Sequence, residues 1–294
     1  MNHIGEISAI LAATAWSVNT VVMEKHGTKL TSMAINFLRT SLGFVALTCL
    51  ILLLGSTLLP AGVSPEAWAA LLSSGLIGFA VGDTFLMAAV KNIGSRVTFL
   101  IYSFSPVMTG LLGYLLFREK MSVLSLIGTL VILAGVVIVI FQGDLKGLRL
   151  NYSKRGILDA FIATASQSVG VILSKFGATQ LDSLAATQIR LLGGLLGLAV
   201  LFMSRNLWAE LKPVLTDRGS QVVTLSTSLL GTVVGVVLSM IAIKTTQAAV
   251  ASILMSIMPV IIIPLSVLFL KEKIKPREVL GALLTVIGVS ILFL

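Results

Sequence analysis

Three charged residues inside long apolar stretches are the strongest candidates for chemistry: Arg39, Asp83 and Arg190. A charge removed from water costs several kcal/mol unless it is paired or lines a polar cavity. Arg39 and Asp83 are expected at similar depth on antiparallel neighbouring segments, where they form an ion pair. Arg190 lacks this partner because Val236 stands at the matching position. An unpaired cation beside a cavity favours an anionic or zwitterionic ligand, and Asp83 is suited to carrying a proton or stabilising an amine.

A purely structural interpretation of the same three residues stays open. Both arginines would then extend their long side chains to the membrane interface, and Asp83 would serve only as a structural counter-ion. The two interpretations differ in whether a cavity lies beside the charges.

Neutral side chains at helical spacing extend the candidate cavity. Small polar stripes usually make hydrogen bonds between helices, and methionines supply an adaptable wall for varied ligands. Besides Asp83 and Arg190, we predict that the cavity is lined by Trp16, Asn19, Met87, Tyr102, Ser105, Gln167 and Met255.

The composition of the 294-residue chain places these residues in a membrane protein. Hydrophobic residues make up 56% and charged residues 11%, with a mean hydropathy of +1.05. Soluble domains carry roughly 25% charged residues. The single cysteine, Cys49, excludes a disulfide framework, and no cysteine-rich metal site or cofactor is expected. The N-terminus reads as a retained span and not as a cleaved signal.

Apolar runs separated by short polar breaks predict ten transmembrane helices. The runs fall near residues 4–23, 34–54, 67–90, 97–117, 122–141, 156–175, 185–203, 221–243, 248–270 and 277–294.

An internal duplication organises these spans. The third to fifth spans match the eighth to tenth without a gap, at the constant spacing that places Gly231 on Gly78 and Pro259 on Pro106. We predict a five-helix repeat over 1–143, a connecting loop over 144–155 and a second repeat over 156–294. An odd number of spans inverts the second copy in the membrane, which is typical of secondary transporters working by alternating access. The predicted fold is therefore an all-α polytopic membrane protein.

Proline and glycine positions repeat in both halves. Pro106 and Pro259 lie near the middle of their spans and predict kinks facing the cavity, although packing kinks between buried helices stay an alternative. Glycines seven residues apart share a helix face and predict that the fifth and tenth helices pack closely. These are Gly128, Gly135, Gly281 and Gly288.

With these features in place, the chain resembles the EamA-type family of the drug/metabolite transporter superfamily. The resemblance rests on GLIGFAVGDTFLMAAVKNIG, NFLRTSLGF and QIRLLGGLL, and on the glutamate–lysine turns at Glu119 and Glu272. It implies a ten-helix transporter of small metabolites, with a cavity lined by the first, third, fourth, sixth, eighth and ninth helices.

The resulting hypothesis is a secondary transporter in the cytoplasmic membrane, exporting amino acids or related compounds, with proton coupling possible and a monomer sufficient. A non-transporting scaffold or receptor and an organic-cation efflux protein are the alternatives. The sequence argues against an enzyme, because the only histidines are His3 and His26 and no zinc or nucleotide-binding motif occurs. No nucleic-acid partner is expected.

The loop charges and the family resemblance predict opposite orientations of the chain in the membrane. The loops that follow odd-numbered spans carry most of the lysines and arginines, which by the positive-inside rule leaves both termini outside. The family resemblance instead implies both termini in the cytoplasm.

Overall fold

The first half of the computed structural model is a series of helices joined by short turns. The structure describes residues 3–26, 29–55, 63–117, 123–142, 149–150, 152–178, 181–245, 254–255, 257–271 and 274–292. The helices of the first half are α1 (Ile4–His26), α2 (Ser32–Leu53), α3 (Pro65–Gly75), α4 (Asp83–Ile93), α5 (Ser95–Tyr102), α6 (Ser105–Phe117) and α7 (Val123–Ile140).

The second half repeats this order after a minimal hairpin, β1 (Phe141–Gln142) and β2 (Arg149–Leu150). Its helices are α8 (Lys154–Gly177), α9 (Ser183–Arg205), α10 (Pro213–Thr216), α11 (Arg218–Ser226), α12 (Val237–Thr245), α13 (Met258–Leu270) and α14 (Pro276–Leu292), with a 3₁₀ turn at Leu207–Leu211.

Six continuous helical segments in the described part of the chain are long and apolar enough to cross a membrane. They are Ile4–His26, Ser32–Leu53, Pro65–Ile93, Lys154–Gly177, Ser183–Arg205 and Arg218–Ala242. The other four predicted spans fall on shorter helices, some of which adjoin residues outside the described ranges. The all-α class is confirmed, whereas the count of ten stays a prediction.

Helix starts follow ordinary capping chemistry. Asp182 caps α9 by accepting from the backbone N–H groups of Leu184 and Ala185 at 2.8 and 2.9 Å. Ser64 caps α3, with Pro65 in the first turn, where its missing N–H has no cost. These polar turns fix where the apolar helices enter.

A π-helical segment interrupts the third span of each half. The first, π1 (Leu76–Gly82), joins α3 to α4, and the second, π2 (Thr227–Val236), joins α11 to α12. The matching glycines Gly78 and Gly231 lie within them. Wider turns loosen the regular hydrogen-bond ladder, and π segments concentrate at functional sites. Both segments face the space between the two halves.

The fourth span differs from the expected kinked helix. Helix α5 ends at Tyr102 and α6 begins at Ser105, so Pro106 lies in the first turn of a new helix. Proline has no N–H to donate to the Tyr102 carbonyl, so the chain restarts the helix there instead of bending it. In the ninth span, Pro259 likewise lies in the first turn of α13, which begins at Met258.

Helices α7 and α14 pack backbone to backbone through their glycines. A Cβ built on Gly135 would lie 2.8 Å from the Gly281 carbonyl oxygen, and one on Gly288 would lie 2.7 Å from the Gly128 carbonyl oxygen. A real side chain does not fit at either position, so these helices approach closely only because the residues are glycine.

The two halves interlock. Helix α1 packs against π2 and α12 of the second half, and α8 packs against π1 and α4 of the first. Small residues permit this contact: Gly82 faces Ser166 on α8, and Gly235 faces the indole of Trp16 on α1. The interlocked helices surround the cavity described next.

Candidate functional site

A central cavity of about 120 Å³ lies between the two halves. An adjoining cavity of about 100 Å³ continues from it past the break between α5 and α6. The shared walls are formed by Trp16, Phe99, Tyr102, Gln167, Arg190, Ser239 and Met258. Because a water takes about 30 Å³ in the liquid, the central cavity has room for roughly four water-sized groups.

The charged residues of the central cavity are Arg39, Asp83 and Arg190, as far as the described residues show. Arg39 and Asp83 form an ion pair between α2 and the start of α4. Both side chains are largely buried, with relative exposures of 8% and 14%. The pair therefore contributes no net charge, and Arg190 leaves the cavity with one net positive charge.

Asn36 holds the ion pair in place. Its side-chain oxygen accepts from Nε of Arg39 at 3.0 Å, and its Nδ2 donates to the Phe79 carbonyl at 2.5 Å and to the Thr84 hydroxyl at 2.8 Å. Asn36 is fully buried, so all these bonds form away from water. The network fixes Arg39 and Asp83 at the edge of π1.

Arg190 is held differently. Its Nε donates to the Ser74 hydroxyl at 3.0 Å, and its guanidinium carbon lies 4.9 Å from the centre of the Phe79 ring. Ser74 donates in turn to the Gly170 carbonyl at 2.7 Å. In the described part of the chain no carboxylate lies within ion-pair distance of Arg190, so its terminal nitrogens are available to a ligand.

Phe79 connects the two arginines. Its carbonyl binds Asn36, which orients Arg39, while its ring stacks beneath Arg190. Because Phe79 lies within π1, one wide helical turn sets the positions of all three charges. A displacement of π1 would move the ion pair and Arg190 together.

The structure places the other candidate residues on the same two cavities. Trp16 donates from Nε1 to the Gly231 carbonyl of π2 at 2.9 Å. Asn19 and Met87 line the central cavity. Ser105 and Met255 line the adjoining cavity, where the Ser105 hydroxyl lies 3.0 Å from that of Ser168.

Sequence reasoning missed several residues of the site. Asn36 was detectable in principle as a polar residue three positions before Arg39 on the same helix face. Ser74 and Phe79 gave no such signal, because their partners lie on other helices. The second and seventh spans, absent from the cavity implied by the family resemblance, contribute Arg39 and Arg190 because arginine side chains are long.

Polar contacts close one end of the bundle, which we call the basic face: the end where α1 finishes and α2 begins, carrying Arg96, Arg155 and Arg205. Glu24 at the end of α1 accepts from the hydroxyl and the N–H of Ser95 at the start of α5. Gly94, with φ +80°, lets the backbone turn there. This contact ties the first helix to the fourth span.

Further pairs reinforce this closure. Arg96 on α5 lies 2.5 Å from the carboxylate of Glu278 on α14, which also accepts from the Tyr152 hydroxyl at 3.3 Å. Burial and the Glu278 charge raise the pKa of Tyr152 to about 12, so it stays a neutral donor. Hydrogen bonds from Ser220 hold the pKa of Asp217 below its usual value, and Lys29 lies 3.9 Å from it.

No metal centre is evident in the part of the chain that the structure describes: no three His, Cys, Asp or Glu side chains come together there. Glu119 and Glu272 lie outside the described residues.

Interlocked helical halves around a charged central cavity are typical of multi-pass membrane transporters. The profile of the EamA-like transporter family matches residues 3–141 and 154–294. The chain therefore belongs to the EamA-like transporter family, within the drug/metabolite transporter superfamily.

Proteins similar to it include a transporter and a protein of known structure. An uncharacterized transporter from Methanothermobacter thermautotrophicus is 27% identical over 142 residues, which are 47% of this chain. The chain spans only 40% of that relative's length. A solved structure titled "Crystal structure of protein" aligns with a TM-score of 0.71 and 16% identity, covering 99% of this chain and 96% of the other. The latter likeness concerns the fold alone.

Proposed function

We propose that the protein is a secondary transporter that exports amino acids or closely related zwitterions across the cytoplasmic membrane by alternating access. The observation that carries the proposal is Arg190, a buried guanidinium with no carboxylate partner among the described residues, on the wall of a cavity whose other two charges neutralise each other. Arginine binds carboxylates through paired hydrogen bonds. A substrate carboxylate would complete the charge balance.

The size and lining of the cavity support this substrate class. The two adjoining cavities, of about 120 and 100 Å³, suit a molecule as small as an amino acid and are too small for a nucleotide sugar. Apolar and aromatic groups opposite Arg190 would contact the substrate side chain. They are Trp16, Leu86, Met87, Val90, Phe99 and Met258.

An organic cation is the alternative substrate that the cavity lining also favours. An organic cation would find aromatic faces at Trp16, Phe99 and Tyr102 and a carboxylate at Asp83. The net positive charge of the cavity disfavours it. A protein without a transported ligand, acting as a scaffold, is the remaining alternative.

Ligand-dependent thermal stabilisation of the purified protein tests the proposal. The panel contains amino acids, simple carboxylates, sugars, nucleotide sugars and lipophilic cations. A ligand that binds the native state raises the unfolding midpoint, and we expect amino acids to do so. Stabilisation by lipophilic cations alone would favour efflux of organic cations, and no stabilisation by any compound would favour a scaffold. Uptake into vesicles of opposite orientation then tests the direction of transport.

A proton-coupling role for Asp83 gives a second prediction. Asp83 is the carboxylate of the cavity and binds Arg39, so a proton would bind when that pair opens. In proteoliposomes Asp83→Asn should abolish the dependence of transport on a pH gradient, because the amide cannot ionise. Asp159→Asn is the matched control, since Asp159 is buried on α8 outside both cavities and bonded to Asn92. Unchanged dependence in Asp83→Asn would remove Asp83 from coupling.

We further propose that a monomer suffices, because one chain supplies both repeats around a single cavity.

A further inference from the structure

An open groove of about 660 Å³ lies on the basic face, away from both cavities. It runs between the ends of α2, α4 and α8 and the turn that follows α9. Its basic residues are Lys91, Arg155 and Arg205, and its acidic residues are Asp159 and Glu210. The transport cycle proposed above uses none of these side chains.

Three of these five charged groups are already engaged in holding helix ends together. Glu210 accepts from the hydroxyl of Thr31, the residue that caps α2. Asp159 accepts from the Asn92 amide at 3.2 Å, and Lys91 donates to the Leu30 carbonyl at 2.6 Å. Their positions are therefore explained by packing.

Arg155 and Arg205 are not explained in this way. Both side chains are exposed, and within the described ranges neither has a carboxylate inside ion-pair distance. Arg155 is at the start of α8, and Arg205 is at the end of α9. Two guanidinium groups along one groove are suited to a phosphate, which each binds through planar, paired donors.

The groove joins this charged end to an apolar surface. Its walls include Met33, Phe85 and Leu207. On α8, Leu158 is 58% exposed and lies three residues after Arg155, on the same face of the helix. In a membrane protein, helix ends lie at the level of the lipid headgroups, and the apolar faces below them contact acyl chains.

We propose that this groove binds the headgroup of an anionic phospholipid, with Arg155 and Arg205 on the phosphate and the acyl chains along α8. Basic pockets between transmembrane helices are a recurrent form of lipid recognition. The site is separate from the transported substrate, so its test does not depend on the proposed transport function.

Native mass spectrometry of the full-length protein in detergent measures this binding directly. The probes are phosphatidylglycerol, phosphatidylcholine with the same acyl chains, and soluble glycerol phosphate. The variant is Arg155→Gln with Arg205→Gln. The matched control is Lys212→Gln with Arg218→Gln, which removes the same charge from exposed positions on the same face outside the groove.

Phosphatidylglycerol should bind the wild type more tightly than phosphatidylcholine does. The groove variant should bind it about 25-fold more weakly, at about fivefold for each basic residue, and the control should change little. Either single arginine variant should show about a fivefold loss, which keeps the test decisive if the double variant folds poorly. Equal binding of both lipids, an equal loss in the control pair, or glycerol phosphate binding as tightly as the lipid would each overturn the proposal.

Discussion

Arg190→Gln should remove the stabilisation that amino acids give to the purified protein. The substitution keeps a hydrogen-bonding group near the position of Nε but removes the terminal nitrogens and the charge that would pair with a substrate carboxylate. A charged hydrogen bond to a buried partner contributes about 2–3 kcal/mol, so we expect binding to weaken by roughly 30- to 150-fold. Isothermal titration or the shift in unfolding midpoint measures the change.

Arg218→Gln is the control for this experiment, because Arg218 is exposed and lies outside both cavities. It should bind amino acids as the wild type does. If Arg190→Gln retained full affinity for carboxylate-bearing ligands, Arg190 would be a structural residue. Its bond to Ser74 and its contact with Phe79 would then be its whole role.

Gly288→Val should destabilise the protein or prevent its accumulation in the membrane. The new Cβ would lie 2.7 Å from the Gly128 carbonyl oxygen and 2.8 Å from the Ile132 nitrogen. Backbone atoms cannot rotate away, so α7 and α14 must separate along their length. Overpacking of this kind costs about 1–3 kcal/mol, and we expect a cost near or above the upper end. Thermal unfolding monitored by size-exclusion chromatography measures it.

Ile287→Val is the matched control one residue earlier on α14. Ile287 is 51% exposed, so a valine at this position should leave the unfolding midpoint nearly unchanged. Equal loss in both variants would mean that α14 tolerates no change on any face, and unchanged stability in Gly288→Val would contradict the close packing.

Much of the fold was predictable because it follows from local patterns in the sequence. Apolar runs, short polar turns and a repeat at constant spacing do not depend on which helices meet. The charges Arg39, Asp83 and Arg190 were also visible, since an ionisable residue in an apolar run stands out from its neighbours. The family assignment and the all-α class follow from the same features.

The remaining helix contacts and site residues could not be predicted, because they depend on contacts between segments that are distant in the sequence. Gly75 and Gly193 allow α3 and α9 to touch backbone to backbone, yet nothing in either glycine's local sequence names its partner. The role of Phe79 arises only when its carbonyl meets Asn36 and its ring meets Arg190. The helix break before Pro106 was also not predictable, because a proline within a span fits either a kinked helix or a new helix that begins at Ser105.

The charged contacts that close the basic face are not repeated in the sequence of the other half of the duplication. The repeat places Lys175 where Glu24 stands, and Ser125 and Ala249 where Glu278 and Arg96 stand. In the proposed alternating-access cycle, two identical inverted halves would make the two access states equivalent by two-fold rotation and therefore equal in energy. In this chain the basic face makes the Glu24–Ser95 and Arg96–Glu278 contacts, and the matching residues of the repeat cannot form the equivalent ones at the opposite end. On that proposal, the sequence differences between the halves would favour the state of the empty carrier that keeps these contacts, so that the protein returns to one preferred state after the substrate leaves.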